Sequence, residues 1–192
     1  AMTALENSVS EAVLLMVDFS KAFDTMSHGF IRNALKAFGF GPYFTEQVML
    51  LFKDRCSQVN NSGHLTESFN LGRGVPQGDP ISAYLFILGI EILMTKIRNS
   101  PNLTRVKLLD KFPILDLCYA DDLNVVLSRS PEQIGEVLKI LADFEKISGL
   151  AINLDKTRLV NIGINPQNTD YAKELNIGFE QDFTLLGIKF SN

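Results

Sequence analysis

The sequence predicts an α+β fold: an antiparallel sheet with helices packed on one face. Three observations lead there. Short apolar runs and amphipathic stretches mix without a regular strand–helix alternation. Two segments carry hairpin signals. No glycine-rich nucleotide fingerprint of the parallel α/β folds is present. A chain of 192 residues with 46% hydrophobic content is enough for one domain with a sizeable core.

Residues 12–19, AVLLMVDF, form an almost continuous apolar run with β-branched members, so they read as a buried strand. Asp18 closes that run, where an unsatisfied carboxylate is costly. Ser27 caps a helix whose buried stripe is Phe30, Ile31, Ala34, Leu35 and Phe38, with Gly39 as its stop. Pro42 opens a second helix reaching about Arg55, with Phe44, Val48, Leu51 and Phe52 buried. Gln58 to Leu71 suits a hairpin around Asn61-Ser62-Gly63-His64.

After the Gly/Pro-rich stretch 72–78, Asp79 caps a helix with Pro80 at its first position. It should run to about Arg98. Being apolar on most sides (Ile81, Leu85, Phe86, Leu88, Ile92, Leu93), it is expected to be deeply buried. Ile114 to Tyr119 and Leu123 to Leu127 are joined by Ala120-Asp121-Asp122, a hairpin with two carboxylates at its tip. Ser130-Pro131-Glu132-Gln133 is a capping box before a helix with Ile134, Leu138, Leu141, Phe144 and Ile147 inward and Gly149 as its stop. Strands are expected at 151–154, 158–161 and 183–190.

Composition bounds the function. The longest apolar run, Ala83 to Ile90, is far shorter than the roughly 20 residues of a membrane span. Residues 1–10 lack the basic and apolar regions of a signal peptide. An intracellular chain (cytoplasmic, nuclear or both) with no membrane partner is the expectation. Cys56 and Cys118 are too few for a disulfide scaffold, and with His28 and His64 lack zinc-ligand spacing. The net charge of −4 runs against the basic footprint usual for nucleic-acid binding, although a metal site itself uses acidic residues.

Asp18, Asp121 and Asp122 point to chemistry. Adjacent carboxylates repel, and a solvated Asp-Asp turn would be unremarkable on a surface. Here both flanks are apolar, and Asp18 ends another buried strand. Converging carboxylates require cations. Hard oxygen donors suit Mg²⁺, with Mn²⁺ as substitute. Two such ions can clamp the attacking and leaving oxygens of an in-line displacement.

Five ordered blocks make the sequence resemble the reverse transcriptases, most nearly those of non-LTR (LINE-type) retrotransposons. VDFSKAFDTMSH (17–28) is similar to motif A, GRGVPQGDPIS (72–82) to motif B and YADD (119–122) to motif C. SGLAINLDKT (148–157) resembles motif D, and FTLLGIKF (183–190) resembles motif E. The resemblance implies a polymerase palm with an RRM/ferredoxin-like core. Its motif regions would be 13–28, 72–88, 114–127, 148–160 and 183–190, with a partial fingers insertion at 56–71. It implies metal ligation by Asp18, Asp121, Asp122 and the backbone carbonyl of Phe19. Lys156 would be the acid for the leaving pyrophosphate. Phe23 would screen the sugar, and Arg73, Gln77 and Gly78 would touch substrate, whereas Asp24 reads as a structural helix-entry residue. The implied activity is RNA-directed DNA synthesis with two Mg²⁺ ions, an RNA template, a DNA primer and deoxynucleotides as partners.

Few residues precede motif A and almost none follow motif E. The chain is therefore expected to be a palm taken from a longer polyprotein, lacking most of the fingers and the thumb. Two alternatives stay open: a palm retired to a nucleic-acid-binding or scaffold role, and an RNA-templated RNA polymerase. Phe23 argues against the latter, which would need contacts to the 2′-OH.

Overall fold

The computed structural model describes residues 12–108, 112–114, 116–119, 122–162, 172, 175, 177–180, 183–185 and 188–190. Strand β1 (Ala12–Val17) is the centre of a five-stranded sheet. On one side it pairs with β9 (Asp122–Ser128), from Ala12↔Ser128 to Val17↔Leu123. On the other it pairs with β10 (Arg158–Ile162), from Ala12↔Ile162 to Met16↔Arg158. Strand β8 (Asp116–Tyr119) forms the edge beside β9. At the opposite edge β11 (Gly178–Glu180) lies parallel to β10, the one parallel pairing in this sheet among the described residues.

Period-two alternation divides the side chains of the central strands. Val13, Leu15, Val17, Leu123, Val125, Leu127 and Leu159 face the helices in the main core. Ala12, Leu14, Val126 and Val160 turn to the opposite face, where Val106 of β6 (Val106–Leu108) packs on them. Strand β6 pairs with β7 (Phe112–Ile114), a hairpin that the sequence reading did not anticipate.

A four-residue helix, α1 (Ala22–Thr25), leads from β1 to α2 (His28–Ala37). The Ser27 hydroxyl accepts from the Phe30 amide at the start of α2, and Phe30, Ile31, Ala34 and Leu35 are buried as the stripe predicted. Phe38, expected in that stripe, is instead the C-cap of α2 and is 43% exposed. Helix α3 (Pro42–Leu50) ends short of Arg55, and a turn with Asp54 at φ 54° follows. Val48 and Phe52 are buried, but Phe44 and Leu51 are exposed, so only half of the expected stripe meets the core.

The next segment is a stack of two short ladders. Strand β2 (Cys56–Ser57) pairs with β5 (Phe69–Asn70), and β3 (Asn60–Asn61) pairs with β4 (His64–Leu65). Ser62 (φ 51°) and Gly63 (φ 91°) make a two-residue turn with both centres left-handed, the form that matches strand twist.

Helix α4 (Pro80–Arg98) is capped by the Asp79 side chain, which accepts from the Ile81 amide. It is long and apolar enough to cross a membrane by length and composition. In the fold, Leu85, Phe86, Ile90, Leu93, Met94 and Ile97 enter the core, while Tyr84 and Ile87 are exposed. The expectation of deep burial on most sides therefore holds for one face only. Helix α5 (Pro131–Ser148) begins at Ser130, whose hydroxyl accepts from the Gln133 amide. Gln133 does not return the bond of a capping box. Its side chain instead accepts from the Thr104 amide and donates to the Asn102 carbonyl. Gly149 (φ 80°) stops the helix. Ile134, Leu141 and Phe144 are buried, but Ile147 is half exposed.

Residues 151–154 are not a strand; a single bridge joins Ile152 to Phe19. The terminal stretch expected as one strand is two, β12 (Phe183–Leu185) and β13 (Ile188–Phe190), paired antiparallel.

Candidate active site

The ladder between β1 and β9 has its last described pair at Val17↔Leu123. One step further along the same register sets Asp18 opposite Asp122. Strand β9 also pairs Asp122 with Tyr119 of β8. Ala120 and Asp121, the intervening residues, lie outside the described residues. The carboxylate expected of Asp121 therefore has no described position.

Alternation puts Met16 and Asp18 on the sheet face turned away from the helices, and puts Asp122 and Asn124 on that same face. A cavity of about 160 Å³ opens there, lined by Met16, Val17, Asp18, Asp122, Leu123, Asn124 and Lys156. Asn124 is itself buried. Sequence reading passed over Met16 and Asn124, although their spacing from the two aspartates was the available signal.

Lys156 reaches this cavity because its loop is laced to the end of β1. The Ser20 amide donates to Ala151 O and the Asn153 amide donates to Asp18 O, both at 2.8 Å. These bonds flank the Phe19–Ile152 bridge. In such a pair, the C=O of Phe19 points away from Ile152 and toward the β9 side. That orientation agrees with a carbonyl available beside the carboxylates. The turn closes with the Thr157 hydroxyl and amide both donating to Asn153 O at 2.8 Å. Lys156 Nζ then stands 3.8 Å from Asp18 Oδ2, with both side chains partly exposed.

A second, more open cavity of about 540 Å³ lies at the start of α4. Phe23, Pro76, Gln77, Gly78, Asp79 and Ser82 are among its lining residues. Phe23 is fixed by stacking on Phe86, with centroids 4.8 Å apart and planes at 17°. The stretch 73–78 is bound to α1 and the two residues after it. The Gly74 amide donates to Met26 O at 2.8 Å, the Val75 amide to Phe23 O at 2.7 Å, and Ser27 bridges Arg73. Gln77 Nε2 donates to Asp24 Oδ1 at 3.5 Å, so Asp24 contacts the predicted substrate residue as well as opening a helix. Phe23, Gln77 and Gly78 are thus brought together. Arg73 is exposed and lines neither cavity.

The donor set at this end of the sheet consists of hard oxygens, which fits a magnesium-type ion better than zinc or copper. Among the described residues no three acidic, histidine or cysteine side chains gather closely enough to hold a metal. Asp18, Asp122 and Phe19 O are the oxygen groups that could hold such an ion, and Mg²⁺ characteristically completes its shell with water and phosphate oxygens.

The family model described as "Reverse transcriptase (RNA-dependent DNA polymerase)" matches residues 2–190. The chain is 33% identical over 151 residues to the Pol polyprotein of the type-2 retrotransposable element R2DM of Drosophila melanogaster. That match takes in 79% of this chain and 14% of the relative. It is 27% identical over 150 residues to a Pol polyprotein from the type-1 element R2 of Popillia japonica, taking in 78% and 21% respectively. The chain thus spans about a fifth or less of the length of these two curated relatives. Among solved structures it superposes on telomerase from Candida tropicalis with a TM-score of 0.67 at 12% identity, covering 99% of this chain and 30% of that one. Telomerase from Candida albicans gives 0.62 at 15% identity, covering 93% and 29%. At such identities the likeness speaks for the fold.

Proposed function

The chain belongs to the reverse transcriptase family, of the non-LTR retrotransposon kind, and from that premise we propose that it is the catalytic palm of an RNA-directed DNA polymerase. The observation that carries this reading is the register of β1 and β9, which sets Asp18 against Asp122 across a cavity that Lys156 also lines.

Asp18, Asp122, the Phe19 carbonyl and Asp121 would hold two divalent ions, which supply charge neutralisation for phosphoryl oxygens and activation of a primer 3′-hydroxyl. The protein's own part is positional. β1 and β9 fix two carboxylates on one rigid face. The loop 151–157 holds an ammonium beside them, suited to donating a proton to a leaving pyrophosphate. Phe23, held flat on Phe86, forms a wall where a ribose 2′-hydroxyl would collide. Gln77 and Gly78 line the same cavity and would meet the incoming deoxynucleotide. Arg73, exposed at the loop's start, would meet phosphate. RNA template and DNA primer are the partners this reading requires, and the rest of a longer polyprotein would supply further grip on them.

The test is primer extension on an RNA template with deoxynucleotides and Mg²⁺ or Mn²⁺, alongside calorimetric titration of Mn²⁺. The parent is compared with Asp18→Asn and Asp121→Asn, each in this chain and in a longer protein that carries it. Loss of extension and weaker Mn²⁺ binding in both variants are expected. Extension by both variants at the parental rate would overturn the assignment.

A further inference from the structure

His28 has no role in the site as described so far. It is the first residue of α2, and its ring stacks on Phe52 with centroids 4.4 Å apart and planes at 23°, which fixes its direction. Its Nε2 lies 2.9 Å from the carbonyl oxygen of Gly74, 46 residues further along the chain. A carbonyl can only accept, so Nε2 carries the proton.

Gly74 is buried, and its carbonyl needs a partner. Here the partner is a side chain chosen by the sequence, whereas the neighbouring bonds Gly74 N to Met26 O and Val75 N to Phe23 O are backbone bonds that most sequences could form. Three residues on, Gln77 is bound to Asp24. At and just before the second of these side-chain tethers, Pro76 and Gln77 line the same cavity as Phe23. If the first tether is released, the wall is held only by those two backbone bonds and the Gln77–Asp24 contact.

We propose that His28 is a positioning residue for the substrate cavity. Its Nε2–H holds the Gly74 carbonyl and so keeps Gln77 at a set distance from Phe23. The inference rests on the reading that this cavity receives the incoming deoxynucleotide.

Two variants separate the donor from the ring. His28→Phe keeps an aromatic on Phe52 and removes the donor; His28→Gln restores a donor on a flexible stem. Hydrogen exchange of the Gly74 and Val75 amides is measured in each, together with deoxynucleotide KM and kcat in extension on an RNA template. In the Phe variant, exchange at both amides should quicken about tenfold, the scale of one lost hydrogen bond. KM should rise by a similar factor with kcat within about twofold, and the Gln variant should move back toward the parent. A purely structural role would instead lower the melting temperature and leave KM unchanged. Parental exchange in the Phe variant overturns the proposal. Faster exchange with unchanged KM also overturns it, since the tether is then purely structural; unchanged KM in Gln77→Ala would overturn the assignment of the cavity to the nucleotide, so the two failures are distinguishable.

Discussion

Two glycines of the 72–78 stretch share a backbone conformation but not an environment, and replacing each by alanine isolates the packing of this loop. Gly74 has φ +85° and Gly78 has φ +91°, so alanine meets similar left-handed strain at both, about 1–2 kcal/mol. It also recovers about 0.4–1 kcal/mol at both by restricting the unfolded chain. These contributions cancel in the comparison. At Gly78 an added Cβ meets nothing within 4 Å. At Gly74 it would lie 2.7 Å from Asp24 O and 2.9 Å from Asp24 C, both backbone atoms that cannot swing aside. The loop must lift, and lifting it breaks the bonds Gly74 N to Met26 O and Val75 N to Phe23 O. At roughly 0.5–1.5 kcal/mol each, those two bonds put Gly74→Ala about 2 kcal/mol below Gly78→Ala. Urea unfolding of the two variants beside the parent gives the difference directly, and about 2–4 °C of melting temperature should accompany each kcal/mol. Equal stability of the two variants would refute the claim that the loop is seated on the backbone of Asp24.

Two further outcomes follow from individual side chains. Ser82 is buried in the first turn of α4, and its hydroxyl has no hydrogen-bond partner among the described residues. Ser82→Ala should therefore be neutral or stabilising by up to about 1 kcal/mol in urea unfolding, because a desolvated hydroxyl and a weaker helix former are both removed; a loss above that size would reveal a partner. Cys118 on β8 has its thiol pushed above the ordinary range by partial burial and then by the Asp116 carboxylate. Its thiolate fraction at pH 8 is therefore lowered, and iodoacetamide should modify it more slowly than free cysteine, with the rate still climbing as pH rises past 9. Parity with free cysteine at pH 8 would contradict that environment.

The elements legible in the sequence were those with both a periodic pattern and a chemical stop. α4 has Asp79 and Pro80 at its start, and α5 has Ser130 and Gly149 at its ends; both came out at their expected boundaries. α3 had a start signal in Pro42 but no glycine or proline near its end. Its apolar residues lie on more than one side, so the turn at Asp54 and the exposure of Phe44 and Leu51 were hidden. In 183–190 the signal is Gly187, which interrupts the apolar run between β12 and β13. Residues 151–154 look like a strand because Ile152 faces the core. Their backbone serves instead to tie the Lys156 loop to the end of β1.

That tie explains why the site could be approached from sequence only in pieces. Each block supplies one group, but what relates the groups is the eleven-residue exit from β1, residues 18–28, through its backbone bonds. Its start accepts Asn153 N at Asp18 and reaches Ala151 O from Ser20, which sets Lys156 near the carboxylate. Its middle receives Gly74 and Val75 at Met26 and Phe23, which sets the wall of the second cavity. Its end sends the Ser27 amide to Ser148 O, where α5 stops, with Gly149 so close that an added Cβ would lie 2.6 Å from Thr25 O. Backbone bonds leave no composition signal, so periodicity and motif spacing reveal the groups but not the rail that aligns them. A substitution anywhere along 18–28 that shifts backbone will therefore move the carboxylate, the aromatic wall and the lysine loop together. Side-chain changes at Lys156 or Gln77 will each act on one cavity alone.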